Sequence, residues 1–567
     1  MSTVELQKPG PRNATLVGFV SDPDSRGTVS LLFSCILTLT LCVWSAVHLN
    51  LPKCNEKDLK YTWRYFKWSM LGVFGPELVV WTAWRQYISA RALTKMVKEV
   101  RKRHAKKNVD ASHKWTMVHG FYAGMGGFVF DMESPDLSRG RPFISQWRRL
   151  HVTPHGVQLL TECGLLPDIR REDIVDKSKT DATGKFICCI QAGWMLFQAA
   201  TRVAVGLPVT PLEINTIGHV LCALATFILW WHKPRWVCEP TKLSGEWTRC
   251  ICAFMYMCSQ ASAETRRDRD ILRDFGVKSE ISKVLYTPCI EPDDQQTPVK
   301  EEIRTHQYGS LVLRTSLPTN MYTMVQELPG SAKENTPQDA AETEMQRLRW
   351  KLVCEAVERF PAIQLRLEQG EFYKDESKYR EALRLYPEMP QRVKEKFRPK
   401  PSQNRPTSQE APRAFMPKEL VIDHPRNWPG DDLLRQVPGL FMGLTLWVVS
   451  MAFGAVHVAG WHDEFPSSLE SWLWRISSIY IVSSGLLWSL IHILAHTSRS
   501  VWWYWYDLLA GQERRPSHVI IFVLCALGGI SYIFSRLYLV VEAFISLRAL
   551  PADAYLCPSW LLSIPHL

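Results

Sequence analysis

The 567-residue chain carries none of the short signatures that assign a reaction from sequence. It has no HExxH run and no nucleophile elbow, and no acidic DDxxD-like cluster falls on its apolar segments. The glycines of HGFYAGMGGFVFD, His119 to Asp131, fit neither a dinucleotide fingerprint nor a P-loop, so close backbone packing is their expected use. Cys238, Cys250, Cys252 and Cys258 stand near one another without paired CxxC knuckles or a histidine at finger spacing, and no metal is expected there. His492 and His496 share a helix face, but no further ligands accompany them and they read as interface residues. No internal repeat is evident. Residues 1–27 are polar and contain Pro9, Pro11 and Pro23, which does not suit a cleavable signal peptide, so the first apolar segment is expected to target the chain and stay in it.

What the chain does have is seven apolar segments, at 28–50, 67–86, 186–206, 212–232, 437–460, 471–496 and 517–546. Each is long enough to cross a hydrocarbon core of about 30 Å as a helix. The expected fold is therefore all-α, a polytopic helical membrane protein with about seven transmembrane helices and two large cytosolic segments. A hydrophobic content of 46% and a mean hydropathy of -0.11 suit a chain divided between membrane and water. Many of the 23 tryptophans, among them Trp63, Trp68, Trp81, Trp84, Trp230, Trp231, Trp502, Trp503 and Trp505, fall where spans should meet headgroups. The net charge of +11 comes mostly from residues flanking spans, which points to a lipid bilayer as partner and away from nucleic acid.

The densest basic run, Arg91 to Lys107, is expected to be cytosolic by the positive-inside rule. With two spans before it, the N-terminus is then cytosolic, and 51–62, 207–211, 461–470 and 547–567 become outer segments. Lys53, Lys57 and Lys60 argue mildly against the first of these. The sequon Asn13-Ala14-Thr15 is left cytosolic and unused. Cys54 and Cys557 both fall in outer segments, where an oxidising compartment would allow a disulfide; two unrelated thiols are the alternative.

The polar tail 1–27 precedes helices in 28–89, a cytosolic segment at 90–185, helices in 186–232, a long cytosolic segment at 233–434, helices in 435–547 and an outer tail at 548–567. In the first cytosolic segment, the apolar residues around Phe128-Val129-Phe130 suggest a strand or buried turn. In the second, a polar stretch at 288–340 precedes an amphipathic helix carrying Leu348, Leu352, Val353 and Ala356, and 396–414 reads as a Pro-rich linker.

Ionisable and amide groups inside apolar segments mark candidate sites, because a charge near the bilayer centre costs about 2.5–3.5 kcal/mol on insertion scales. Gln191, Gln198 and Arg202 share one helical face. Glu213, Asn215 and His219 follow the short loop after them. Arg202 and Glu213 are the expected pair, either inside the bundle or snorkelling at the outer interface. Glu77 follows Pro76 within the second segment, where a kink would open the backbone beside a carboxylate. Arg536 and Glu542 lie on different faces of the last segment, so each is expected to find a partner on another helix.

The strings GPELVVWTAWRQ, HGFYAGMGGFVFD, DKSKTDATGKFICCIQAGWMLFQAATRVAVGLPVTPLEINTIGHVLCALATFILWWHKP and RLYLVVEAFISLRALP together resemble a large, mostly uncharacterised family of fungal multi-pass membrane proteins. The resemblance covers most of the chain outside 288–430. It implies a membrane fold and a fungal source and, through the genomic company of some relatives, a connection to secondary metabolism. It supplies no catalytic residues and no cofactor.

Three function classes fit these residues. A channel- or transporter-like protein for an ion or small polar solute would use Glu77, Gln191, Gln198, Arg202, His219 and Glu542 along a hydrated route. A membrane-embedded enzyme would use Glu77, Glu542 or His219 as acid or base on a lipophilic substrate. A receptor or scaffold is the third.

Overall fold

The computed structural model describes residues 16–21, 26–54, 56–105, 113–178, 182–257, 259, 261, 345, 348–349, 351–353, 355–363, 420–429, 433–434, 439–498 and 516–556. In chain order the helices are α1 (Thr28–Ala46), α2 (Asp58–Phe74), α3 (Pro76–Ala105), α4 (Met117–Gly124), α5 (Pro135–Ser138), α6 (Pro154–Glu162), α7 (Arg171–Asp176), α8 (Ala182–Ala204), α9 (Pro211–Leu229), α10 (Thr248–Met257), α11 (Gly439–Val458), α12 (Ser468–Thr497) and α13 (Pro516–Ile545). The stretches at 288–340 and 396–414, Cys258, Cys557 and Trp502, Trp503 and Trp505 lie outside the described residues.

Among the described residues five helical stretches, and not the expected seven, are long and apolar enough to cross a bilayer: Thr28–Ala46, Pro211–Leu229, Gly443–His462, Ser468–Thr497 and Val519–Arg548. The other two segments depart for different reasons. In α8, Lys185, Gln191, Gln198 and Arg202 dilute the apolar character. Its outer face nevertheless exposes Phe186, Ile187, Ile190, Phe197 and Val203, and the helix packs against both α1 and α9.

The segment 67–86 does not form one helix. The Gly75 N–H closes α2 on the Leu71 carbonyl at 2.8 Å, and Pro76, which has no N–H to continue a helix, starts α3. The chain reverses there. Trp68 before the turn and Trp81 after it both lie against Trp428, with ring centroids 6.2 and 5.6 Å away. Tyr61 and Tyr65 on α2 pack beside Val47 and Trp236, and Gln86 on α3 accepts from Lys233 at 2.7 Å, so both arms of the hairpin lead to one end of the bundle. The turn itself stands beside the middle of α9, where a His219 ring nitrogen lies 2.7 Å from the Val73 carbonyl. The hairpin therefore enters the bundle to about half depth.

Six helices, α1, α8, α9, α11, α12 and α13, run between two ends. The Lys233 end gathers His48, Asn50 and Gln86. The opposite end gathers Arg202, Pro208, Ala554 and Leu556. Here β1 (Leu16–Val17) pairs antiparallel with β6 (Leu550–Pro551), and Thr28 Oγ1 lies 3.0 Å from the Tyr555 hydroxyl. The N-terminal strand and the end of α13 thus share one end of the bundle.

The described chain is mostly helical, as expected, and the all-α reading is modified by a four-stranded sheet at the Lys233 end, with order β4-β2-β3-β5. Its strands are β2 (Phe128–Asp131), β3 (Arg149–Val152), β4 (Thr241–Lys242) and β5 (Val421–Ile422). β2 runs antiparallel to β3 and parallel to β4, and β3 antiparallel to β5. Phe128, Val129 and Phe130 are buried on both faces of the sheet, which is why this run is uniformly apolar. Its core takes in Leu150, Val152, Leu159, the α10 residues Ile251 and Phe254, and Val353 and Ala356 of the expected amphipathic stretch. The glycines serve close packing. A Cβ on Gly120 would meet the Ala90 carbonyl oxygen at 2.6 Å, and Gly126 adopts φ +84° against Pro425.

Candidate functional site

Buried polar groups occupy several levels of the bundle. At half depth, the first turn of α3 presents Glu77, where the helix N-terminus favours a carboxylate. On α13, Tyr532 and Arg536 stand one turn apart and face it. Glu77 Oε2 accepts from Arg536 Nη2, and Oε1 accepts from the Tyr532 hydroxyl at 2.9 Å. Tyr532 in turn lies 2.7 Å from Ser450 Oγ, and the Arg536 guanidinium covers the Phe453 ring at 3.8 Å. Both carboxylate oxygens are engaged.

Two buried histidines adjoin this level, His219 beside the hairpin turn and His457 toward the Arg202 end. His219 has Nδ1 2.8 Å from the Asn215 carbonyl and Nε2 2.7 Å from the Val73 carbonyl. Both partners only accept, so a neutral ring satisfies one contact and an imidazolium satisfies both. His457 Nδ1 lies 2.8 Å from the Phe453 carbonyl, and its Nε2 lies 3.3 Å from Asn215 Oδ1. Exchanging O and N of the Asn215 amide gives its partnerless Nδ2 an acceptor in neutral His457. Trp474 Nε1 donates to the His457 carbonyl at 3.0 Å.

At the Arg202 end the expected Arg202–Glu213 contact is replaced by two separate ones. Arg202 donates to the carbonyls of Leu556 (2.8 Å), Ala554 (2.8 Å) and Pro208 (2.9 Å). It thereby ties the α8–α9 loop to the turn after α13. Glu213 forms a capping box with Thr210, whose N–H and hydroxyl both donate to Oε2 at 2.9 Å, while Oε1 pairs with Arg26. The distribution is physical: a guanidinium with five donors is satisfied by loop carbonyls, and a carboxylate at N3 is already committed to its cap.

Beside this layer opens a cavity of about 1440 Å³, walled by α8, α9, the end of α11 and the 550–554 turn. Its walls are mainly apolar, with Leu196, Val203, Ile217 and Val456 among them, and Asp463, Glu464 and Asp553 line it as well. Asp463 follows the last α11 span directly, and its Oδ2 has no hydrogen-bond partner among the described residues. Burial, reinforced by the nearby Glu213 charge, raises its carboxyl from the usual range to about 7. Nothing in the sequence marks this residue, because an acid in a short loop between spans reads as solvated.

The other expected residues are dispersed. Gln191 donates to Thr38 Oγ1 on α1 at 3.0 Å. Gln198 is half-buried on α8, away from the Glu77 level. Glu542 is buried on α13 beside Tyr538, with Oε1 lacking a partner. At the opposite end Lys233 is enclosed. Its ammonium donates to the His48 carbonyl (2.6 Å), Gln86 Oε1 (2.7 Å) and Asn50 Oδ1 (2.9 Å), and lies over the Trp230 ring at 4.6 Å. Cys54 precedes α2 at this same end, whereas Leu556, the neighbour of Cys557, is held by Arg202 at the other. Among the described residues no three His, Cys, Asp or Glu side chains converge as a metal site would require.

Searches among curated proteins and solved structures match nothing. A model of a family of unknown function, DUF8562, matches residues 4–315 and 442–567. Since these two stretches make up most of the chain, the protein belongs to that family of unknown function.

Proposed function

We propose that this is an integral membrane protein that admits a lipophilic molecule to the cavity at the Arg202 end and acts on it by acid–base chemistry through Asp463. The membrane reading is supported by the five apolar spans and by the exposed apolar belt they carry, including Leu486, Leu490, Ile520, Leu524 and Ile533. The single observation that carries the function is a carboxyl, one of whose oxygens has no partner among the described residues, on the wall of a large, mainly apolar cavity. A group that titrates near neutrality can both give and take a proton at the working pH, as general acid–base catalysis requires.

This reading takes precedence over an ion route through Glu77, because both oxygens of that carboxylate are already committed to Arg536 and Tyr532. A second reading, transport of an ion or small polar solute, draws on the succession of polar groups from half-buried Asp463 through buried His457, His219 and Glu77 toward Lys233.

The test compares metabolite profiles and ion tolerance in a deletion strain complemented with the natural chain or with Asp463→Asn. Accumulation of a lipophilic precursor and loss of its product in the variant supports the enzyme. Unchanged metabolites with altered ion or solute tolerance would transfer the weight to transport.

A further inference from the structure

The half-depth hairpin changes which side of the membrane the N-terminus occupies. We propose that the N-terminal tail lies on the non-cytosolic side and that Asn13 is an N-glycosylation site. The proposal rests on the reading of the chain as an integral membrane protein.

Charge sets the orientation. Arg91, Lys95, Lys98, Arg101, Lys102 and Arg103 lie on α3 beyond Gln86, outward of the Lys233 end. Lys53, Lys57 and Lys60, which fit poorly as outer residues, lead into α2 at this same end, and Lys177 and Arg235 join them. At the Arg202 end, the loops 205–210 and 459–467 contain no Lys or Arg. Arg26 and Arg548 there are each paired with a carboxylate, Glu213 and Glu470. The positive-inside rule therefore assigns the Lys233 end to the cytosol.

Crossing number then decides the tail. Because α2 and α3 return to the end they came from, α1 alone separates the tail from the basic run. One crossing puts the tail on the opposite side. Its position is fixed by contacts as well as by counting: β1 pairs with β6, the Tyr555 hydroxyl donates to the Gly18 carbonyl at 3.2 Å, and Arg26 meets Glu213. Asn13 itself lies outside the described residues, three positions before Leu16 of β1. Asn13-Ala14-Thr15 is the sole N-x-S/T tripeptide in the sequence.

The donor would be a lipid-pyrophosphate-linked oligosaccharide. A bond forms between Asn13 Nδ2 and the sugar anomeric carbon as that carbon's bond to the pyrophosphate oxygen breaks. The amide gives up one proton, and the lipid pyrophosphate leaves.

The experiment expresses the full chain in a eukaryotic host and follows its gel mobility with and without peptide N-glycosidase. A shift of one glycan that Asn13→Gln and Thr15→Ala each abolish is the expected result. An unshifted natural chain overturns the site. A reporter N-x-T inserted between Pro466 and Ser467 locates the cause: glycosylated, it leaves the orientation standing and the failure is local to Asn13. If it stays bare while a reporter within 106–112 is glycosylated, the orientation has failed too. Alkaline carbonate extraction of the same membranes separates both outcomes from failure of the membrane reading, which would release the chain.

Discussion

Glu77 and Arg536 meet at half depth in the bundle although 459 residues separate them in sequence, and each side chain is 5% exposed or less. The contact joins the turn of the half-depth hairpin to the last helix, so it closes the fold across nearly its whole length. A buried pair of this kind is costly to break, because the surviving partner is left as an uncompensated charge. Glu77→Gln or Arg536→Met alone is expected to destabilise the protein by about 3–5 kcal/mol, while Glu77→Leu with Arg536→Met recovers much of that loss. Thermal unfolding in detergent of the natural protein, Glu77→Leu, Arg536→Met and the double variant gives the coupling energy. Additive single effects would show that the pair is not a unit.

Half of that relationship is legible in the sequence. Glu77 stands out as a carboxylate in an apolar run, but hydropathy averages over Gly75-Pro76 and turns a hairpin into a span. Only tertiary contacts, such as Trp428 touching both Trp68 and Trp81, reveal the reversal. The five most apolar helices are readable because each satisfies its own backbone and needs no partner to be recognised. The sheet is less so, since β4 and β5 are two residues long and join β2 and β3 from far along the chain. Arg202 was recognisable as an unusual charge, but its carbonyl partners in 554–556 were not, because a backbone acceptor has no sequence signature. Asp463 carries no sequence mark for a related reason: what distinguishes it is the cavity around it.

Lys233 is expected to act as a structural clamp at its end of the bundle. Three oxygens from α3 and the chain after α1 converge on its ammonium, and burial pushes its pKa well below the ordinary lysine value. Lys233→Met keeps the length of the side chain and removes the ammonium donor from the His48 carbonyl and Asn50 Oδ1, while Gln86 Oε1 keeps the Trp230 indole N–H. The expected loss is about 3 kcal/mol, since hydrogen bonds to a charged group are the stronger ones. A melting temperature unchanged within error would mean that water replaces the ammonium and that the enclosure is not tight.

His151 gives the sheet a pH dependence of defined sign. Its ring lies 2.8 Å from the Gly126 carbonyl, and burial lowers its pKa from the usual 6.5 to about 4. Between these values the unfolded chain holds more protons than the folded one, so stability falls as pH drops through the window and levels off below it. The full effect is about 3 kcal/mol. His151→Gln retains a donor for the carbonyl but does not titrate. Its melting temperature should therefore lose less than that of the natural protein between pH 7.5 and pH 4, and parallel losses would exclude His151 as the source.

Asp463 is expected to trade stability for use. Its raised pKa means that the folded state holds the proton more firmly than the unfolded chain, so stability declines as pH rises from about 4. The decline is complete once pH passes the folded value of about 7. Above that, an ionised carboxylate with an unpartnered oxygen sits beside Glu213. Asp463→Asn removes the charge at nearly constant volume. The variant should be more stable than the natural protein at pH 8, by about 1–3 kcal/mol, with the difference vanishing toward pH 4. A residue kept in this unfavourable state is accounted for if its proton is needed, which makes the accompanying loss of product the decisive half of the measurement. A variant that is less stable at every pH would instead identify Asp463 as an ordinary structural acid and remove the basis for acid–base chemistry in the cavity.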